Sequence, residues 1–188
     1  MRTTSHFVGA SLDSSRFTDL FVKLQEYSTK HDLQDALKLQ NVLSLHLTLY
    51  YLASSISKKE KAQILEDIAD LSSNDKLKIS QLNGAYFGEP GKEQICYLST
   101  AKNVKFEEIN QFFAKKYDHS QIPENQLAFV AHISLFRIID PVAFTAHKVE
   151  VDTIISKVVA TVDCDNLAEG LHLFQVNSLY HPEIQIPI

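Results

Sequence analysis

Two tetrads in the chain carry the same chemistry in the same order: His46-Leu47-Thr48-Leu49, within "NVLSLHLTLYYL", and His132-Ile133-Ser134-Leu135, within "FVAHISLFRI". Each sets an imidazole two residues before a hydroxyl. Side chains on a strand alternate faces, so His46, Thr48 and Tyr50 are expected together, and His132, Ser134 and Phe136 likewise. Leu45, Leu47, Leu49 and Tyr51 then turn the other way, onto a core. The hydroxyl stands about 6.5–7 Å along the strand from its histidine. A neutral imidazole accepts a proton and an imidazolium donates one, around an unperturbed pKa of ~6.5. Facing each other across a groove, two imidazoles serve as base and acid in one displacement. The hydroxyls can donate to non-bridging oxygens held between them. A tetrahedral anion with a leaving alkoxide, a phosphodiester, fits that set of groups without a metal. Which histidine is acid and which is base is not written in the sequence.

The pair is specific. With 8 His, 26 Ser or Thr and 22 Leu in 188 residues, chance gives about 0.13 matches to H-x-[ST]-L. Two occur, and they fall at matching places in the chain.

The elements that must position them follow from period and punctuation. "HFVGASL" (6–12) reads as a strand, after which Asp13 and Ser14 offer caps and Phe17, Leu20, Phe21, Leu24 and Tyr27 mark a helix. A polar link, "KHDLQDALKLQN", precedes the first histidine strand. Ser57 and Glu60 form a capping box for a helix carrying Ile64, Leu65, Ile68 and Leu71. Residues 77–100 read as a hairpin turning at Gly88, Pro90 and Gly91. Asn103 caps a helix with Phe106, Ile109, Phe113 and Tyr117 on one side, and the second histidine strand spans 127–138. Val151, Ile154, Ile155, Val158, Val159 and Val162 have a helical period despite their β-branching. Residues 170–180 close as a strand. Strand, helix, strand thus recurs from His6 to His46 and from Gln94 to His132, a two-fold internal repeat.

Composition sets the class. A chain of 188 residues, 45% hydrophobic and 22% charged, is the size of one domain, here taken as 1–188. A net charge of −5 offers no footprint for long duplex nucleic acid. Cys96 and Cys164 have no CxxC spacing or histidine cluster, which suits a reduced, cytoplasmic protein. No segment has the ~20 apolar residues of a membrane span, and the start lacks a secretory apolar core.

Two H-x-[ST]-L strands, each closing a β-α-β unit, resemble the 2H phosphoesterases, a superfamily that includes the 2′-5′ RNA ligase-like proteins and cyclic phosphodiesterases. The resemblance covers most of the chain. It implies an α+β, bilobal, pseudo-two-fold-symmetric fold, with two antiparallel sheets flanking a central cleft and helices outside. It further implies metal-independent chemistry with no cofactor. The substrate would be a small cyclic nucleotide or an RNA terminus, and the protein a monomer. Two positions depart from the family's habit: Ala131 stands where Pro commonly precedes the second histidine, and "YLAS" follows where Gly often closes the first strand. Neither is a reacting group, so they bear on substrate rather than chemistry.

The expected site is therefore His46, His132, Thr48 and Ser134 as the catalytic set, with Tyr50, Phe136 and Arg137 as substrate contacts and no metal ligands. Tyr50 and Phe136 sit where a base could stack. Arg137 can meet a phosphate, although unbroken alternation points it away from His132. His172 has Phe174 in place of a hydroxyl and reads as structural. His31, His119, His147 and His181 read as loop or helix-end residues. Three alternatives compete with the phosphodiesterase: a non-catalytic nucleotide-binding module, a 2′-5′ RNA ligase acting on RNA ends, and, more distantly, a metallohydrolase.

Overall fold

A computed structural model describes residues 6–74, 77–176 and 182–184. Strand β1 (His6–Leu12) is apolar and buried along its length. Asp13 accepts the Ser15 N–H and opens a short 3-10 turn into α1 (Thr18–Lys30), which buries Leu20, Phe21 and Leu24. The polar link contains a further strand, β2 (Leu37–Leu39), too short to show alternation in the sequence. After β3 (His46–Leu52), α2 (Lys58–Asn74) starts where the capping box predicts, the Glu60 N–H donating to the Ser57 hydroxyl oxygen. β4 (Leu82–Phe87) and β5 (Ile95–Thr100) make the hairpin, with Gly88 and Gly91 at positive φ in its turn. Asn103 caps α3 (Val104–Tyr117) through the Lys105 N–H, and β6 (His132–Ile138) is the second histidine strand.

The β-branched run is helical. α4 (Pro141–Thr145) leads into α5 (Lys148–Val159), which buries Val151, Ile155, Val158 and Val159; packing of one apolar stripe overrides the residues' strand preference. β7 (Ala168–Val176) and β8 (Pro182–Ile184) follow. Residues 177–180 of the expected last strand, and His181, lie outside the described residues.

The strands join edge to edge in the order β4-β5-β6-β3-β1-β7-β8, with β2 also pairing β6, and every pair is antiparallel. The sheet has a waist. β3 and β6 pair only at Leu47–Ile133, so β3, β1 and β7 form one half and β6, β5 and β4 the other. This is the bilobal α+β arrangement the sequence predicts, its two antiparallel halves connected by one residue pair. Membership of the halves is not sequential. β7 returns from the end of the chain to pair β1, and β2 crosses over to β6. On the outer side α3 packs on β3, α2 on β7, and α5 on both β4 and α1. One contiguous apolar core runs through both halves, with Leu47 and Ile133 fully buried at the waist. Among the described residues no helix is long and apolar enough to cross a membrane.

Candidate active site

Each histidine strand breaks its alternation at the same place. Against β1, Thr48 is opposite Gly9 but Tyr50 is opposite Val8, so Leu49 is an extra residue. Against β5, Ser134 is opposite Tyr97 but Phe136 is opposite Cys96, so Leu135 is extra. Both are β-bulges, and a bulge exchanges the faces of the residues that follow it. The carbonyls freed by the extra residues find donors: Asn110 Nδ2 donates to Leu49 O at 2.7 Å and the Gln40 N–H to Leu135 O at 2.8 Å.

The cleft faces of the two halves can be read off the pairing. In one, His46 is beside Ser11 and then Gly170, Thr48 beside Gly9 and then His172, and Tyr51 beside Phe7 and then Phe174. In the other, His132 is beside Ser99 and then Asn83, Ser134 beside Tyr97 and then Ala85, and Arg137 beside Ile95 and then Phe87. Antiparallel pairing at Leu47–Ile133 sets His46 opposite Ser134 and Thr48 opposite His132, all on the face away from the buried Leu47 and Ile133. The two histidines are then diagonal neighbours, a relation that spaces Cα atoms by about 7–8 Å.

Both imidazoles are held in one way. His46 Nδ1 lies 2.9 Å from Ser44 O and His132 Nδ1 lies 2.7 Å from Val130 O, in each case the carbonyl two residues earlier. A carbonyl accepts only, so Nδ1 carries the hydrogen and Nε2 is left for the cleft. Aromatic rings fix the planes. Phe7 and Phe174 stand 4.6 and 5.5 Å from the His46 ring, and Phe87 and Tyr97 stand 4.9 and 5.4 Å from that of His132. Burial among these rings disfavours the imidazolium. It pushes His46 down to about 4, against the raising effect of Ser44 O, and the charge of His132 lowers His46 further. Burial lowers His132 too, opposed by Val130 O.

The structure brings His46, Thr48, His132 and Ser134 together and adds Arg137, which the bulge turns onto their face with its side chain exposed. Tyr50 and Phe136 are corrected. The same bulges turn them into the core, 3% and 0% exposed, where Tyr50 Oη accepts the His119 N–H and Phe136 packs on Phe144. Tyr51 takes the cleft-side place expected of Tyr50. His172, read as structural, shares the face and row of Thr48 and Gly9, half-buried. Sequence reasoning missed Tyr51, His172, Ser11, Ser99 and Lys38, the residue of β2 paired with Arg137. Among the described residues no three His, Cys, Asp or Glu side chains gather as a metal site.

The fold is similar to that of several solved proteins. Escherichia coli LigT, solved in complex with phosphate, superposes with a TM-score of 0.52 at 12% identity, over 98% of this chain and 95% of that one. A Thermus thermophilus protein gives 0.53 at 21% identity, over 71% of this chain and 74% of its own. A conserved protein of unknown function from Agrobacterium tumefaciens gives 0.52 at 12% identity, over 97% and 84%. At these identities the likeness is one of fold. No protein-family model matches the chain, and no curated protein sequence does.

Proposed function

We propose that this chain, as one catalytic unit, is a metal-independent phosphodiesterase that hydrolyses a 2′,3′-cyclic nucleotide or a phosphodiester at an RNA end. One observation carries the reading: two imidazoles, each held by Nδ1 to the carbonyl two residues before it, share one face of the sheet with a hydroxyl two residues on from each. A merely structural histidine needs no such duplication. LigT has been crystallised with phosphate and with ATP, which supports phosphorylated ligands for a cleft of this form.

In the proposed step the phosphorus sits between the imidazoles, with Thr48 and Ser134 donating to its non-bridging oxygens. Both histidines are lowered by burial, and an anionic diester favours return of one proton to the pair. His132 is assigned that proton and His46 stays neutral, because a charge on either imidazole disfavours a second on the other. His46 Nε2 then takes a proton from water as its oxygen bonds to phosphorus. The bond to the leaving ribose oxygen breaks, and His132 Nε2–H protonates that oxygen. Solvent exchange returns the proton from His46 to His132. Arg137 and Tyr51 are the substrate contacts in this reading. RNA end joining would put the 5′-hydroxyl of a second RNA end in place of the attacking water, and the protein acts as a cytoplasmic monomer.

The test is turnover of 2′,3′-cyclic mononucleotides by chelator-treated protein. Removing one proton-transfer group costs about 10²–10⁴-fold, so His46→Ala and His132→Ala should each lose at least ~100-fold in kcat. Near-full activity in both would overturn the mechanism. Binding of mononucleotide without turnover in the unaltered protein would favour the binding module.

A further inference from the structure

We infer that Lys38 and Arg137 form a second anion subsite beside the histidine pair, so that the preferred substrate carries a further phosphate. The inference rests on the phosphodiesterase reading and names the substrate class within it. Lys38, in the three-residue β2, is directly opposite Arg137 in β6, and both side chains are exposed. The flanking pairs, Leu37 with Ile138 and Leu39 with Phe136, turn to the core, so the two cations share the other face. The bulge at Leu135 makes that the face of Ser134 and His132. Counted on β5, from Tyr97 to Ile95, Arg137 is two residues beyond Ser134, about 7 Å along the strand.

Like charges directly opposite on neighbouring strands destabilise a sheet. Nothing seen here offsets them: among the described residues no carboxylate lies in an ion pair with Lys38 or Arg137. Glu93, two residues before Ile95, is buried, and its Oε2 has no partner at all. An anion lying between the ammonium and the planar guanidinium would relieve the repulsion and take several charge-assisted hydrogen bonds. Its place on the reacting face, one short step from the catalytic hydroxyl, suits the second phosphate of a nucleotide whose diester lies between the histidines. A bare cyclic mononucleoside phosphate leaves the subsite empty.

The experiment has two arms. In the first, kcat/KM is compared for a nucleoside 2′,3′-cyclic phosphate with and without a 5′-phosphate, in the unaltered protein, Lys38→Glu and Lys38→Arg. The 5′-phosphate should raise kcat/KM about tenfold, the worth of one exposed charge-assisted contact. Lys38→Glu should abolish the preference and Lys38→Arg should keep it. In the second, calorimetry compares a nucleoside 3′-phosphate with the 3′,5′-bisphosphate on the same proteins. Turnover with no preference in either arm overturns the subsite and leaves the phosphodiesterase standing. No turnover, with a bisphosphate preference that Lys38→Glu removes, sustains the subsite and overturns the phosphodiesterase. A preference that survives Lys38→Glu overturns the role given to Lys38.

Discussion

A histidine packed among phenylalanine and tyrosine rings works at a pH below its ordinary range. The proposed reaction needs one proton on the pair, assigned to His132, with His46 neutral. Protonating His46 as well, around its pKa of about 4, closes the site from the acid side. Loss of the proton from His132, whose pKa burial also lowers, closes it from the alkaline side. The pH optimum of kcat/KM, which reports the free enzyme, should therefore fall between about 4 and the unperturbed ~6.5. An optimum above 7.5 would contradict a working pair of histidines lowered by burial. The same burial has a consequence for stability. A histidine whose folded pKa is depressed contributes stability above its unfolded pKa and loses it as pH falls towards the folded one. Between pH ~6.5 and about 4 the His46 contribution should fall by at most about 3 kcal/mol, a ceiling because the ring keeps some contact with water. Urea midpoints at pH 7 and 4.5 measure it. His46→Gln should lose less than the unaltered protein over that interval, and equal losses would place the acid sensitivity elsewhere.

The strands carry the site through two matched irregularities, and one glycine shows how little room they leave. A Cβ on Gly9 would stand 2.7 Å from Leu47 O and 3.2 Å from the Phe7 ring, which itself packs on His46. Gly9→Ala must therefore push on the backbone of the motif strand or on the ring that orients the histidine. The expected outcome is a loss of about 1–3 kcal/mol, the usual cost of overpacking, together with lower kcat, although the residue has no chemistry. Denaturation and initial rates on the folded variant check both halves of that statement. The histidines, their hydroxyls, the caps at Ser57 and Asn103 and the helix through Val151–Val159 were all legible in the sequence, because each rests on a local pattern. The faces of Tyr50, Phe136 and Arg137 were not. Counting by two assumes an unbroken ladder, and the extra residues at Leu49 and Leu135 are visible only from the partner strands. A conspicuous hint was the repeat itself, since both tetrads end in leucine followed by a buried aromatic. β2 and the cleft-facing His172 were hidden for another reason: the pairing that places them is with strands 97–101 and 156–169 residues distant in the chain.

At the scale of the whole molecule, the proposed catalysis depends on a joint. His46 and Thr48 belong to one half of the sheet, His132 and Ser134 to the other, and the halves share one backbone pair, Leu47–Ile133, with both side chains fully buried. Outside it the halves are tied by β2 on β6, by hydrogen bonds of Asn110, His119 and Asn125 to β3, and by packing through the common core. The distance between the two Nε2 atoms is thus set by how firmly this pair is clamped. Functional groups must be held to within about 0.5 Å of productive geometry, and misplacement by 1 Å can cost ~10²-fold. Truncation at the joint should then damage rate beyond what stability explains. Ile133→Val should cost about 0.5–1.5 kcal/mol and keep most activity, while Ile133→Ala should cost about 2–5 kcal/mol by leaving a cavity under the cleft. Under conditions where denaturation curves show Ile133→Ala still folded, its kcat should fall by ten- to a hundredfold, roughly the cost of a sub-ångström to 1 Å shift. Truncating a core residue far from the waist, Phe113→Leu in α3, should lower stability without that loss of rate, because it leaves the histidine spacing alone. If Ile133→Ala is destabilised yet turns over at the unaltered rate, the waist is ordinary core and the two halves are positioned by their helices instead.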